Sequence, residues 1–376
     1  MPSVYLADFP EPDRVEGAPH PRETTHLFGH AAQQAEFLRV YKAGRLHHGW
    51  LVTGPRGVGK ATLAWKLARF LLATPADDGG MFAPPPPETL DIAADHPVAR
   101  RMAALSEPRL FLLRRGLNNG ETAVTQDILV GEVRKMKDFF AMTAPDGGRR
   151  VAIIDAADDL NTNAANALLK LLEEPPEGVT FFLISHQPFR LLPTIRSRCR
   201  ELRLGPLAPD DLAAALAQAG AEVGDAQALA ELAGGSVGEA LRVLNLDGAD
   251  IYATLVQLFT ALPRMDRARA LGLAETGAGK GNEARFDLAV TLMDLLLARL
   301  ARSGTSGTAP PEATAGEARL LAQLAPDPWA GRAWAELAQS LAARARRGKA
   351  VNLDPAALLM DMFLQIEKTA AFLAAR

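Results

Sequence analysis

The sequence predicts an α/β fold built on a parallel sheet, followed by an all-helical second half, and three observations carry that prediction. The run Trp50-Leu51-Val52-Thr53-Gly54-Pro55-Arg56-Gly57-Val58-Gly59-Lys60-Ala61-Thr62 reads as a buried strand, a glycine-rich loop and a first helical turn. Further apolar runs at 110–113, 151–155 and 179–184 are separated by stretches with helical spacing, the pattern of parallel strands covered on both faces. After Leu204 the strand-type runs stop, and alanine- and leucine-rich helical patterns take over. The boundaries expected from this pattern are an N-terminal arm over 1–25, a P-loop domain over 26–205, a small helical domain over 206–246 and a helical domain over 247–376.

Composition narrows the class. A chain of 376 residues is too long for one ordinary core, and its 48% hydrophobic and 23% charged residues are those of a soluble globular protein. A formal charge of −3 supplies no global attraction to nucleic acid or membrane. The single cysteine, Cys199, excludes an internal disulfide framework and a cysteine zinc cluster. The first 23 residues lack the basic start and apolar core of a signal peptide, and no stretch reaches the length of a membrane span. A cytoplasmic protein is expected.

Taken in order, residues 1–25 read as a loose arm, and a segment with helical spacing begins at Leu27 (Ala35, Leu38, Val40, Tyr41). The P-loop unit runs from Leu46 to Leu72, with Leu63, Leu67, Phe70 and Leu71 on the apolar face of its helix. Residues 74–94, with Pro84-Pro85-Pro86-Pro87, read as an exposed stiff loop. Leu110 to Leu113 is a strand, and 127–142 a helix with Val130, Val133, Met136, Phe139 and Phe140 inward. Gly147-Gly148 marks a turn before the strand Val151 to Asp155. A helix over 161–174 is capped by Asn161 or Thr162, faces inward through Ala164, Leu168, Leu171 and Leu172, and ends at Pro175-Pro176. Val179 to Ile184 is another buried strand. Short amphipathic helices are expected over 209–218, 225–233 and 238–244. The helical remainder is broken at 303–311 by a Gly/Ser/Thr/Pro loop, and Asp354-Pro355 starts a last helix with Leu358, Leu359, Met362, Phe363 and Ile366 buried.

Gly54, Gly59 and Lys60 fit the G-x-x-x-x-G-K frame, in which backbone N–H groups and a helix N-terminus cradle a polyphosphate and the lysine reaches its end. Pro55, Gly57, Val58, Ala61 and Thr62 complete the loop, which is suited to ATP or ADP. The residue after the lysine is normally Ser or Thr, whose hydroxyl holds Mg²⁺, and here it is Ala61. Asp155, at a strand end, is placed to position Mg²⁺ through water. The following residue is Ala156, where an active P-loop ATPase of this build carries an acid that activates water. The site is thus expected to hold nucleotide with weak or absent Mg²⁺. Near the domain edge, Thr194-Ile195-Arg196-Ser197-Arg198-Cys199-Arg200 supplies three forked cations, either for a neighbour's phosphate or as a solvated basic turn.

The runs Ile154-Asp155-Ala156-Ala157-Asp158, Asn166-Ala167-Leu168-Leu169-Lys170-Leu171-Leu172-Glu173-Glu174-Pro175-Pro176 and Thr194-Ile195-Arg196-Ser197-Arg198-Cys199 strongly resemble the clamp-loader subunits of bacterial DNA polymerase III. His47-His48-Gly49-Trp50 and Gly234-Gly235-Ser236 extend the resemblance, which covers residues 26–245. It implies an AAA+ module, a helical lid over 206–246 and a C-terminal collar over 247–376 that assembles a five-membered ring. Carried over by motif, Arg198 is an arginine finger for ATP held by the adjacent subunit, and Ser185 a polar sensor. Gly235-Ser236-Val237-Gly238 has glycine where motor subunits carry a phosphate-sensing arginine. The implied role is a largely non-hydrolysing member of the ring within the DNA polymerase III holoenzyme. Its implied partners are subunits of the delta and gamma/tau types and, indirectly, the sliding clamp and primer-template DNA. The zinc module that many relatives carry after the P-loop helix cannot form with one cysteine.

Two other readings remain open from sequence. One is a motor-type loader ATPase in which Thr62 and Asp158 or Asp159 stand in for the missing groups. The other is an AAA+ DNA-repair ATPase outside the loader family. The cluster Arg344-Ala345-Arg346-Arg347-Gly348-Lys349 either faces DNA or an acidic partner, or is a solvated helix end whose cations complement the dipole. His26, His47, His48 and His96 have no metal-ligand spacing.

Overall fold

The computed structural model describes residues 11, 13–15, 17–24, 26–75, 86–117, 124–142, 148–279 and 281–375. Pro84, Pro85 and Gly147 of the expected loop and turn lie outside the described residues. The chain divides into two compact units, 1–220 with 236–238, and 221–235 with 239–376.

In the first unit the elements run α1 (Ala31–Lys42), β1 (Gly49–Thr53), α2 (Lys60–Ala73), α3 (Pro97–Ala103), β2 (Leu110–Arg114), α4 (Val130–Ala141), β3 (Arg150–Asp155), α5 (Thr162–Glu173), β4 (Val179–Ser185), α6 (Pro193–Arg196), β5 (Arg200–Arg203) and α7 (Pro209–Gln218). Among the described residues the strands form one parallel sheet in the order β2-β3-β4-β1-β5. Alternation along each strand splits the apolar residues between two cores. Trp50, Val52, Ile153 and Ile184 pack with Phe37, Trp65 and Phe70 on one face. Leu51, Ile154, Phe181 and Leu183 pack with Met136, Leu168 and Ile195 on the other. Burying each such side chain contributes about 1.5–3 kcal/mol, which is why uninterrupted apolar strands form here. In the register Thr53 lies beside Ser185, and Asp155 beside Ile184 and Arg114, so the carboxyl ends of four strands share one rim. Ligands of open α/β sheets bind at that rim.

The elements expected from sequence are present, with shifted ends. The helix expected over 127–142 starts at Val130, and Asn161 is the N-cap of α5, accepting a hydrogen bond from the Ala164 N–H at 2.9 Å. Helix α3 and strand β5 were not anticipated. Strand β5 buries only Leu202 among Arg200, Glu201 and Arg203, a charged pattern that suits a sheet edge and hides the strand in the sequence. The described part of the arm corrects the expectation of looseness. His20 is fully buried, paired with Asp13 at 3.1 Å and edge-on to Trp65. Arg22 donates to the Ala103 carbonyl at 3.0 Å, and Arg69 to the Arg22 carbonyl at 2.8 Å.

In the second unit α8 (Ala226–Ala233), α9 (Val237–Asn245, whose first turn groups with the first unit), α10 (Gly248–Thr260), α11 (Arg267–Thr276), α12 (Glu283–Ser306), α13 (Glu317–Leu324), α14 (Pro328–Ala350) and α15 (Pro355–Ala374) follow without a strand among the described residues. The break expected at 303–311 begins later, because α12 continues to Ser306. Gly304 is the reason: a Cβ there would lie 2.8 Å from the Asp327 carbonyl and from the Gly331 Cα, so α12 and α14 meet backbone to backbone at two glycines. Arg299 is buried within α12. It pairs with Glu317 at 2.5 Å and Glu231 at 2.8 Å and donates to the Pro311 carbonyl, while Tyr252 donates to Glu317 at 2.6 Å. Asp354 caps α15 with Pro355 in its first turn, as expected. The cations at 344–349 are largely engaged within the chain. Arg344 pairs with Asp361, Lys349 with Asp287 at 2.5 Å, and Arg346 draws on Asp294.

Candidate nucleotide site and arginine turn

The P-loop leaves β1 at Thr53 and enters α2 at Lys60. Gly54, Gly57 and Gly59 have φ of +143°, +72° and +99°, a region that side chains strain to occupy. A side chain at Gly54 would also run into the Leu204 carbonyl, and one at Gly59 would come within 2.9 Å of Leu27. Val58 is buried and its carbonyl meets His30 Nε2 at 2.8 Å. The Gly57 carbonyl accepts from the Val237 N–H at 3.0 Å, so residues 236–238 close on the crown of the loop. Lys60 turns back, donating from Nζ to the Gly54 carbonyl at 2.8 Å and to the Pro55 carbonyl. Burial lowers its ammonium to about 8, against the pull of Asp155 and Asp158.

Around the lysine the acids are engaged or suppressed. Burial raises the Asp155 carboxyl to about 7, the Asp13 carboxylate adding to the rise and Lys60 opposing it, and Oδ2 has no hydrogen-bond partner. Asp13 is supplied by the arm and held by Arg114 at 2.5 Å. Asp158 accepts from Ser185 Oγ at 2.9 Å and from the N–H groups of His186 and Gln187 at 2.7 and 3.0 Å. Asp159 pairs with Arg115 at 3.4 Å. Ala61 packs against the apolar core, and Thr62 follows it on α2. Burial and the Lys60 charge lower His186 to about 4, leaving it neutral at physiological pH. The rim thus offers backbone donors, a helix N-terminus and one lysine to a phosphate chain. Asp158 and Asp159 are tied to other groups, the Asp155 carboxyl is suppressed by burial, and among the described residues no cluster of His, Cys, Asp and Glu is arranged to hold a metal.

The second feature is the turn after α6. Arg198 donates to the Thr194 carbonyl at 3.0 Å and pairs with Glu173 at 2.8 Å. Two further runs build its platform. A Cβ on Gly49 would lie 3.1 Å from the Arg198 carbonyl and 3.2 Å from Cys199 Sγ, so glycine lets the turn settle closely on β1 without displacing it. His48 Nε2 meets the Leu172 carbonyl at 3.0 Å, and Arg200 lies over Trp50 while pairing with Glu36 at 2.6 Å. Burial raises the Cys199 thiol to about 12, so it serves as packing. Sequence reasoning missed Asp13, Arg114 and Glu173. The first two carry no local pattern, whereas Glu173 stood inside a run already singled out.

A parallel sheet with a P-loop, a strand-end acid and a polar residue on the adjacent strand defines a P-loop nucleotide-binding module. Residues 29–208 match the family described as DNA polymerase III, delta subunit. The delta′ subunit of DNA polymerase III from Pseudomonas aeruginosa is 37% identical over 169 residues, 44% of this chain and 46% of that one. The delta′ subunit of Escherichia coli is 32% identical over 59% of this chain and 62% of that one, and a gamma/tau subunit of Mycobacterium tuberculosis 30% identical over 66% and 41%. A solved gamma-subunit-related protein of Thermotoga maritima aligns with 89% of this chain and 99% of its own length at 20% identity and a TM-score of 0.40, too loose a likeness to argue from. On the family and relative matches the chain is most like the delta′ subunits of DNA polymerase III. The matches span about half to three-fifths of the delta′ relatives' length. Among the described residues no helix is long and apolar enough to cross a membrane.

Proposed function

We propose that this chain is a delta-prime-like subunit of a DNA polymerase III clamp loader that hydrolyses little or no ATP itself and presents Arg198 to ATP held by a neighbouring subunit. The observation that carries the reading is a contrast between two sites. At its own P-loop, Ala61 and Ala156 replace the metal ligand and the acid, and Asp158 and Asp159 are tied. At the other, a guanidinium on a braced turn stands half-exposed. Phosphoryl transfer depends almost wholly on positioning and electrostatics, so a site without metal geometry contributes little rate, while a finger supplied in trans contributes much.

In this reading the P-loop binds ATP or ADP with little dependence on Mg²⁺, through the loop N–H groups and Lys60 once it leaves the Gly54 and Pro55 carbonyls. Ser185, whose hydroxyl donates to Asp158, is the sensor-like residue beside the loop. The helical regions over 206–246 and 247–376 serve as lid and collar. Subunits of the delta and gamma/tau types are the direct partners in a cytoplasmic ring, with the sliding clamp and primer-template DNA as indirect ones. Equilibrium ATP binding to the isolated chain, with and without Mg²⁺, followed by phosphate release, tests the first half. Binding indifferent to Mg²⁺, with no phosphate released, is expected. Mg²⁺-dependent phosphate release abolished by Lys60→Ala would overturn it in favour of a motor-type subunit.

A further inference from the structure

The geometry points to Glu173 as the positioning residue of Arg198, an inference that rests on the finger reading above. Glu173 is the last residue of α5, followed by Glu174 and then Pro175, which fixes where the helix ends. Two carboxylates at a helix C-terminus oppose the helix dipole, so local stability does not account for them. Glu173 pairs with Arg198 at 2.8 Å, and among the described residues no hydrogen bond or ion pair engages the Glu174 carboxylate, whose N–H closes the helix on the Lys170 carbonyl.

The pair sits where three separate runs of sequence meet. His48 holds the Leu172 carbonyl one residue before Glu173, Gly49 admits the Arg198–Cys199 backbone, and Thr194 accepts from Arg198 at 3.0 Å. A guanidinium carries five N–H donors in a rigid fork. One terminal nitrogen donates to the Thr194 carbonyl at 3.0 Å and to Ser197 Oγ at 3.5 Å, Glu173 takes one donor of the other, and the Nε and the second donor of that other nitrogen are left for an incoming phosphate. Arg198 and Glu173 are 35% and 42% exposed, which is enough for a partner to reach them and too much for a strong stabilising ion pair. The contact therefore orders a flexible side chain before the phosphate arrives, at little consequence for folding.

The test uses the reconstituted clamp loader with DNA and compares four subunit variants: Glu173→Gln, Glu174→Gln, Arg198→Ala and the Glu173→Gln/Arg198→Ala double. Glu173→Gln is expected to lower kcat for ATP about three- to fivefold with KM unchanged. Glu174→Gln, the same change of charge one residue on, should leave turnover at the wild-type value, and the double should match Arg198→Ala alone. Wild-type turnover in Glu173→Gln, or a rise in turnover, would overturn the positioning role while leaving the finger. Arg198→Ala without effect would overturn the finger and this inference with it. Equal losses in Glu173→Gln and Glu174→Gln would reduce the effect to bulk charge and overturn it too.

Discussion

At the P-loop, single residues carry opposing demands. Gly57 holds φ at +72°, and a Cβ there would overlap Ser236 Oγ and lie 2.9 Å from the Gly238 nitrogen. Gly57→Ala should cost about 1–3 kcal/mol, read as a lowered Tm of the isolated chain. Asp155 makes a prediction in pH. Its carboxyl titrates near 7 in the fold against an ordinary 3.8, so the folded chain keeps a proton that the unfolded chain releases. Stability contributed by that proton is complete at acid pH, declines as pH rises from about 4 to about 7, and is gone above. Asp155→Asn removes this dependence, so its Tm advantage over the wild type should grow from pH 5 to pH 8. An advantage that shrinks over that range would contradict the assignment. Lys60, Ala61 and Ala156 were legible in the sequence because the P-loop frame gives each position a role. Asp13 was not, since nothing within the arm announces that it meets Arg114 across a hundred residues.

Elements were read where burial imposes a period. The four apolar strands and α5 are apolar at nearly every buried position, Thr53, Thr180 and Ser185 excepted, and their limits were found within a residue or two. Strand β5 escaped because an edge strand with one inward residue carries no period. The 303–311 break was placed too early because Gly and Ser are read as loop formers, whereas Ser303 and Gly304 are buried by the approach of α14. Gly304→Val should therefore cost at least about 1–3 kcal/mol by overpacking. Arg299 was equally hidden: an arginine in an Ala/Leu helix looks solvated, yet it is 1% exposed and holds Glu317, Glu231 and Pro311 together. Arg299→Ala leaves Glu317 buried without its cation and should cost about 3–5 kcal/mol in denaturant unfolding. Arg285→Ala, which breaks the exposed pair with Asp247, should cost under about 1 kcal/mol. Equal costs for the two would contradict the buried-network account.

At the scale of the whole molecule, the proposed function rests on two unequal features, an inward P-loop closed on itself and an outward arginine on a braced turn. The first was legible as a set of missing groups, and the second as a motif whose purpose came from family resemblance. What the sequence left dark was how Gly49, His48 and Glu173 serve Arg198, because the contacts of Gly49 and His48 join segments more than a hundred residues apart and that of Glu173 joins a helix end to a separate turn. The most direct test of the central claim is the DNA-stimulated ATPase of a loader reconstituted with the Arg198→Ala subunit, with ring assembly checked by size. The account predicts an intact ring and turnover reduced roughly tenfold or more. An intact ring with wild-type turnover would contradict it.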